Sequence, residues 1–149
     1  MKKYSVILII VLLSISSESV CDEIQHISLI QLIAHPEKYH QKIIRIEGYF
    51  HYHFEDVALY LSKIDADYLI GVNAVWLSFA ESATMEAHQV EFPPGKERLS
   101  YFSCKYVLIE GRFNQEVHGH LGAYSGTIEQ VTRIQELTRR YDGEHALQE

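Results

Sequence analysis

Apolar and polar residues alternate with a period of two along residues 43–50. Ile44, Ile46, Gly48 and Phe50 share one face, and Arg45, Glu47 and Tyr49 share the other. That alternation predicts a strand over Ile43–Phe50, and a glycine inside a strand predicts a bulge or a sharp bend. Upstream, Ser28-Leu29-Ile30-Gln31-Leu32-Ile33-Ala34 predicts a helix. Leu29, Ile30, Leu32 and Ile33 give it an apolar face, Ser28 and Gln31 have the spacing of a capping box, and Pro36 stops it by restricting His35. Val57–Ser62 and Asn73–Phe79 read as the second and third strands, separated by a stretch that opens with the polar turn Lys63–Asp67. Ala80–Gln89 is rich in alanine and glutamate and has a helical bias, which Phe92-Pro93-Pro94-Gly95-Lys96 breaks.

The fourth strand, Tyr106–Phe113, repeats a feature of the first. Both contain I-E-G-x-F, at Ile46–Phe50 and at Ile109–Phe113, which predicts two strands that bend alike at Gly48 and Gly111. Farther on, Ile128, Val131, Ile134 and Leu137 recur every three residues, as they would on a helix. Thr127, Val131, Thr132 and Ile134 are β-branched, however, so the prediction is a bulged strand that runs into a helical turn. A helix, three strands, a crossover and two strands form the element order of an OB-fold. The expected fold class is mainly β, a five-stranded OB-like Greek-key barrel over residues 20–138. It would carry an N-terminal helix and a helical or irregular crossover between its third and fourth strands.

The first residues have a different character. Met1-Lys2-Lys3 is basic, Tyr4–Ile15 is almost unbroken apolar sequence, and Ser16-Ser17-Glu18-Ser19 supplies small residues. That order is expected of a signal peptide over residues 1–19, and hence of a periplasmic or secreted protein. The apolar run is shorter than the roughly 20 residues of a membrane-spanning helix. Cys21 offers an alternative, a lipidated N-terminus, which Glu18-Ser19-Val20 matches poorly. Cys21 and Cys104 are the only cysteines, so in an oxidising compartment a Cys21–Cys104 disulfide is one expectation; two unpaired thiols or an intermolecular bridge are the others. Residues 139–149 read as a solvated C-terminal tail.

Length and charge narrow the function classes. The chain has 149 residues, enough for one domain and too few for a typical TIM barrel. Its formal net charge is −7, and −8 once Lys2, Lys3 and Glu18 leave with the signal peptide, so no nucleic-acid partner is expected. No H-E-x-x-H, G-x-S-x-G or Walker A sequence occurs, and no catalytic residue stands out.

Nine histidines are many for this length, and four fall in two H-x-H pairs, His51-Tyr52-His53 and His118-Gly119-His120. Residues i and i+2 share a face of a strand, and the two pairs fall in the loops that flank the usual OB binding face. His51, His53, His118 and His120, or three of them with Glu55 or Asp56, would suit zinc or copper. The plainer reading is that these rings bond backbone carbonyls or face water. Tyr49, Tyr52, Phe54, Tyr60, Tyr68 and Trp76 fall on the first three strands or their loops, and Tyr124 on the late loop. The candidate ligand face is therefore Tyr52, His53, Tyr60, Trp76, His118, His120 and Tyr124, set against the reading that most of these rings are core or rim packing.

Pro36-Glu37-Lys38-Tyr39, Ile46-Glu47-Gly48-Tyr49 and Gly119-His120-Leu121-Gly122-Ala123-Tyr124-Ser125-Gly126-Thr127-Ile128 also carry a resemblance. Over roughly Ile27–Ile134 the chain resembles a group of small exported bacterial OB-fold-like proteins without an established activity. Their pattern is a P-E-x-Y turn, a V/I-x-G-Y strand and a G-H-x-G-x-[aromatic]-S-G-x-I segment. The resemblance implies fold and compartment and transfers no catalytic residue. Together these readings lead to the expectation of an exported, non-enzymatic binding or interaction module. Its partner would be a small molecule, a glycan or an envelope protein, and the alternative is a zinc- or copper-binding protein.

Overall fold

The computed structural model describes residues 23–79 and 96–137. The expected signal peptide, Cys21, the helical bias at Ala80–Gln89 and the C-terminal tail lie outside the described residues. The protein is mainly β, with one six-stranded mixed sheet and three short helices among the described residues.

The helices follow local chemistry. α1 (Leu29–Ala34) starts at Ser28, whose hydroxyl accepts from the Gln31 N–H while the Gln31 side chain accepts from the Ser28 N–H. Leu29 and Leu32 are buried, and Ile30, expected on the same face, points to solvent. Residues Lys63–Asp67, read as a polar turn, form α2; the Ser62 hydroxyl caps it by accepting from the Asp65 N–H. α3 (Lys96–Phe102) precedes the strand that starts at Lys105.

β1 (Gln25–His26) pairs in parallel with β2 (Ile43–His53), a short contact the sequence pattern did not announce. β2 runs three residues farther than the alternation suggested and carries His51 and His53. It pairs antiparallel with β3 (Asp56–Tyr60) on one side and with β5 (Lys105–Asn114) on the other. β3 pairs with β4 (Ala74–Leu77), β4 lies parallel to β6 (Thr127–Glu136), and β6 pairs with β5. The path of pairings that leaves β2 through β3 thus returns to it through β5.

One face of this sheet encloses the main core. Ile44, Ile46 and Phe50 of β2 meet Leu59, Val75, Leu77, Val107, Ile109, Phe113 and Ile128, and α1 closes the cluster with Leu29 and Leu32. Burying each such side chain contributes about 1.5–3 kcal/mol. The other face of β2 changes along its length. Glu47 is exposed, but Tyr49, expected among the polar residues, is buried with Ala58, Tyr60, Ala66, Ala74 and Tyr124 in a second cluster flanked by Trp76. α2 and the β5–β6 loop (residues 115–126) cover that end of the strand, so the register holds while the surroundings change.

Gly48 and Gly111 serve close approach. A Cβ on Gly48 would lie 2.7 Å from Leu59 Cγ and 2.8 Å from the Tyr60 carbonyl oxygen; one on Gly111 would lie 2.6 Å from Ile128 Cγ2. Gly48→Ala is therefore expected to cost about 1–3 kcal/mol, read as a lower urea midpoint at unchanged m-value. Opposite Gly111, β6 is bulged: only Gly111 separates Glu110 from Arg112, while Gln130, Val131 and Thr132 separate their partners Arg133 and Glu129. The bulge places Gln130 at φ 49° and explains the three-residue spacing, because it turns Ile128, Val131 and Ile134 alike into the core without a helix.

Candidate functional site

Asp56 begins β3, and Ala58 and Tyr60 follow it on the same face by strand alternation. The cross-strand partners place His51 opposite Ala58 and His53 opposite Asp56. This geometry gathers four polar side chains in the second cluster. Asp56 is only 9% exposed, and its carboxylate is the hub. Tyr124 donates to Oδ1 at 2.7 Å, Tyr60 lies 3.1 and 3.2 Å from the two oxygens, and His51 Nδ1 is 2.5 Å from Oδ2. A carboxylate has only acceptors to offer, so His51 donates to it from Nδ1–H.

Burial pushes the Tyr60 hydroxyl up to about 12, reinforced by the Asp56 charge; burial and the bond to Asp56 push Tyr124 well above the ordinary phenol value. Both phenols stay protonated in the fold after exposed tyrosines have ionised. Their stabilising contribution is complete below pH 10, where an unfolded tyrosine keeps its proton. It declines as pH rises toward 12, because the unfolded chain then releases protons that the folded chain retains. In a titration followed at 295 nm, Tyr60 and Tyr124 are expected to ionise only as the fold is lost. Full ionisation near pH 10 with unchanged circular dichroism would rule out the buried network.

The same contacts join two segments remote in sequence. Tyr124 comes from the 115–126 loop, and a second tie, His120 Nε2 to Glu55 Oε2 at 3.6 Å, connects that loop to the tip of the β2–β3 hairpin. His118 Nδ1 bonds the Tyr124 carbonyl at 2.9 Å, holding the loop to itself. Ser125 donates its hydroxyl to the Val72 carbonyl, linking the loop to the segment after α2. Glu55 and Leu121 both have positive φ, and the side chains beside these ties, Phe54 and Leu121, are 91% and 90% exposed.

The residues singled out from the sequence therefore separate. Tyr60 is buried, 1% exposed, and Tyr124 is buried beside it, with ring centroids 6.5 Å apart. Trp76 is half-buried, 5.2 Å from Tyr124, and Gly119 lies against it so closely that a Cβ there would come within 2.7 Å of Trp76 Cγ. Tyr52 is on the opposite face of β2 from His53, packed against the main core with its N–H donating to Ser103 Oγ. His53 stacks on His51 at 4.6 Å and 27°, which aligns the two rings side by side. Of the four histidines offered as an alternative metal set, His51 and His53 stack on each other and His51 bonds Asp56, while His118 bonds the Tyr124 carbonyl and His120 faces Glu55. Among the described residues no three His, Cys, Asp or Glu side chains are grouped as they would be around a metal ion. Cys104 is exposed and has φ 63°.

Asp56 entered the sequence reading only as a spare metal ligand. Its place as hub is signalled by the Asp56–Ala58–Tyr60 alternation directly after a two-residue hairpin loop, which aims the carboxylate and the phenol the same way. The chain matches no protein-family model, and no curated protein or solved structure is significantly similar to it.

Proposed function

We propose that the protein is an exported binding or interaction module built on an OB-like barrel, with its ligand face where the β2–β3 hairpin meets the 115–126 loop. The circuit of pairings β2–β3–β4–β6–β5–β2, with a parallel β4–β6 contact, supports the barrel reading. The single observation that carries the binding reading is the exposure of Phe54 and Leu121 on these two loops. Two large apolar side chains stand in water on loops tied together by the Glu55–His120 contact and the Asp56–Tyr124 bond. Exposed apolar side chains gathered on braced loops mark interaction surfaces. His53, Trp76, His118 and His120 border this end, and a small molecule, a glycan or an envelope protein is the class of partner.

The Phe54→Ser/Leu121→Ser double variant tests the reading, since it changes two solvent-facing side chains and leaves the network below intact. Immobilised wild-type protein is expected to retain an envelope component that the double variant loses, with equal melting temperatures for the two. Equal retention by both would sink this assignment of the face.

A further inference from the structure

Tyr124 is the only buried residue among 115–125, while Leu121, Gly122 and Ala123 before it are exposed. This ring is the one side chain that the 115–125 stretch buries against the sheet. The ring gives its hydroxyl to Asp56 at 2.7 Å, leans on Trp76 at 5.2 Å and 59°, and meets Tyr60 at 6.5 Å and 69°, near edge-to-face. Those are the contacts that a separate phenolic molecule would make in the same place: an aromatic slot for the ring and a buried acceptor for the hydroxyl. Removing the ring would leave Asp56 with acceptor capacity, Trp76 with a free ring face, and Tyr60 beside both.

The loop has a fixed point about which such a displacement can turn, at Ser125–Gly126. Gly119 and Gly126 have φ +62° and +147°, and Ser125 is held independently, its N–H on the Ala74 carbonyl and its hydroxyl on the Val72 carbonyl. Residues 118–124 can therefore swing about Ser125–Gly126 when the Tyr124–Asp56 bond and the solvent-exposed Glu55–His120 contact give way and Gly119 and Ala123 leave their seats on Trp76 and Gly71, while Val117 stays bonded to Thr127. We propose that Tyr124 is an internal occupant of a phenol pocket on the β2–β3–β4 face, displaced when a phenolic ligand binds and the 115–126 loop opens. This rests on the reading of that end as the ligand face, and it names the ligand chemistry: a phenol, free or as a tyrosine side chain of a peptide. Aromatic contacts on two sides favour a flat ring over a sugar, and the carboxylate discriminates against a ring without a hydroxyl, which would leave it one donor short of the three it now has.

The test uses the wild-type chain with p-cresol, N-acetyltyrosinamide and N-acetylphenylalaninamide, and reads two signals. Trp76, the sole tryptophan, reports occupancy by fluorescence, and amide hydrogen exchange across 115–126 reports loop opening. A saturable fluorescence change with faster loop exchange is expected for p-cresol, N-acetyltyrosinamide or both, and the pattern between them identifies a free phenol or a tyrosine side chain. The phenylalanine amide is expected to bind at least tenfold more weakly. Tyr124→Phe keeps the competing ring but loses its bond to Asp56, so p-cresol should bind it about tenfold more tightly than it binds the wild type. Unchanged loop exchange at saturating p-cresol and tyrosinamide, or equal binding of the phenylalanine amide, overturns the proposal. Retention of an envelope component through Phe54 and Leu121 is measured separately, so the surface can survive the loss of the pocket.

Discussion

Asp56→Ala is expected to lower the unfolding free energy by about 3 kcal/mol, because it strands the two phenol hydroxyls that now converge on one carboxylate. Tyr60 is almost fully enclosed, and each buried hydroxyl left without an acceptor costs about 1–3 kcal/mol. The same change frees the 115–126 loop, whose one buried side chain is held by that carboxylate. Urea unfolding should show a lower midpoint, and limited proteolysis should cut first within the loop. Asp56→Asn is expected to be milder. Its amide oxygen still accepts from a tyrosine, and its NH2 can donate to His51 once the imidazole proton moves to Nε2. An Asp56→Ala protein as stable as the wild type would show that the network is incidental to the fold.

Phe50→Ala is expected to cost about 3–5 kcal/mol, the range for removing a fully enclosed aromatic ring and leaving a cavity. Phe50 has no exposed surface and stands where β2 pairs with β3 and β5 at once, opposite Leu59 and Lys105. Its ring lies 6.2 Å from that of Tyr52 and 6.4 Å from that of Phe79, so truncation withdraws contacts from both. Phe50→Leu fills more of the space and should recover more than half of the loss. The midpoint of urea unfolding measures both variants, and a loss below 1 kcal/mol for Phe50→Ala would contradict the packing described.

What the sequence made legible was local. The Ser28–Gln31 capping box and the strand alternation through Ile44, Ile46 and Phe50 each depend on residues a few positions apart, whereas Gly48 and Gly111, read as bends, serve contacts with other strands. The helix-like spacing at Ile128, Val131 and Ile134 misleads because an irregularity opposite Gly111 mimics a helical period, and only the partner strand reveals it. Tyr49 was read as outward because alternation assigns a face without saying what covers it; α2 and the 115–126 loop bring that cover from elsewhere in the chain. The site follows the same rule. The H-x-H pairs are conspicuous in sequence, but the bonds of His51 to Asp56 and of His118 to the Tyr124 carbonyl depend on partners that the H-x-H spacing does not name. The Asp56–Tyr124 pairing spans 68 positions and has no local trace.

The parallel contact of β4 with β6 has a consequence for the order of folding. It consists of two register pairs, Trp76 with Thr127 and Leu77 with Ile128, between segments roughly fifty residues apart, whereas β5 and β6 share a long antiparallel ladder. Short ladders between distant segments gain the least per unit of chain entropy spent in closing them, so they form late and open early. The molecule therefore has a seam. Because its one tryptophan stands in that seam, fluorescence during refolding should lag behind the growth of β-sheet circular dichroism, timing the closing of the circuit apart from the formation of its strands.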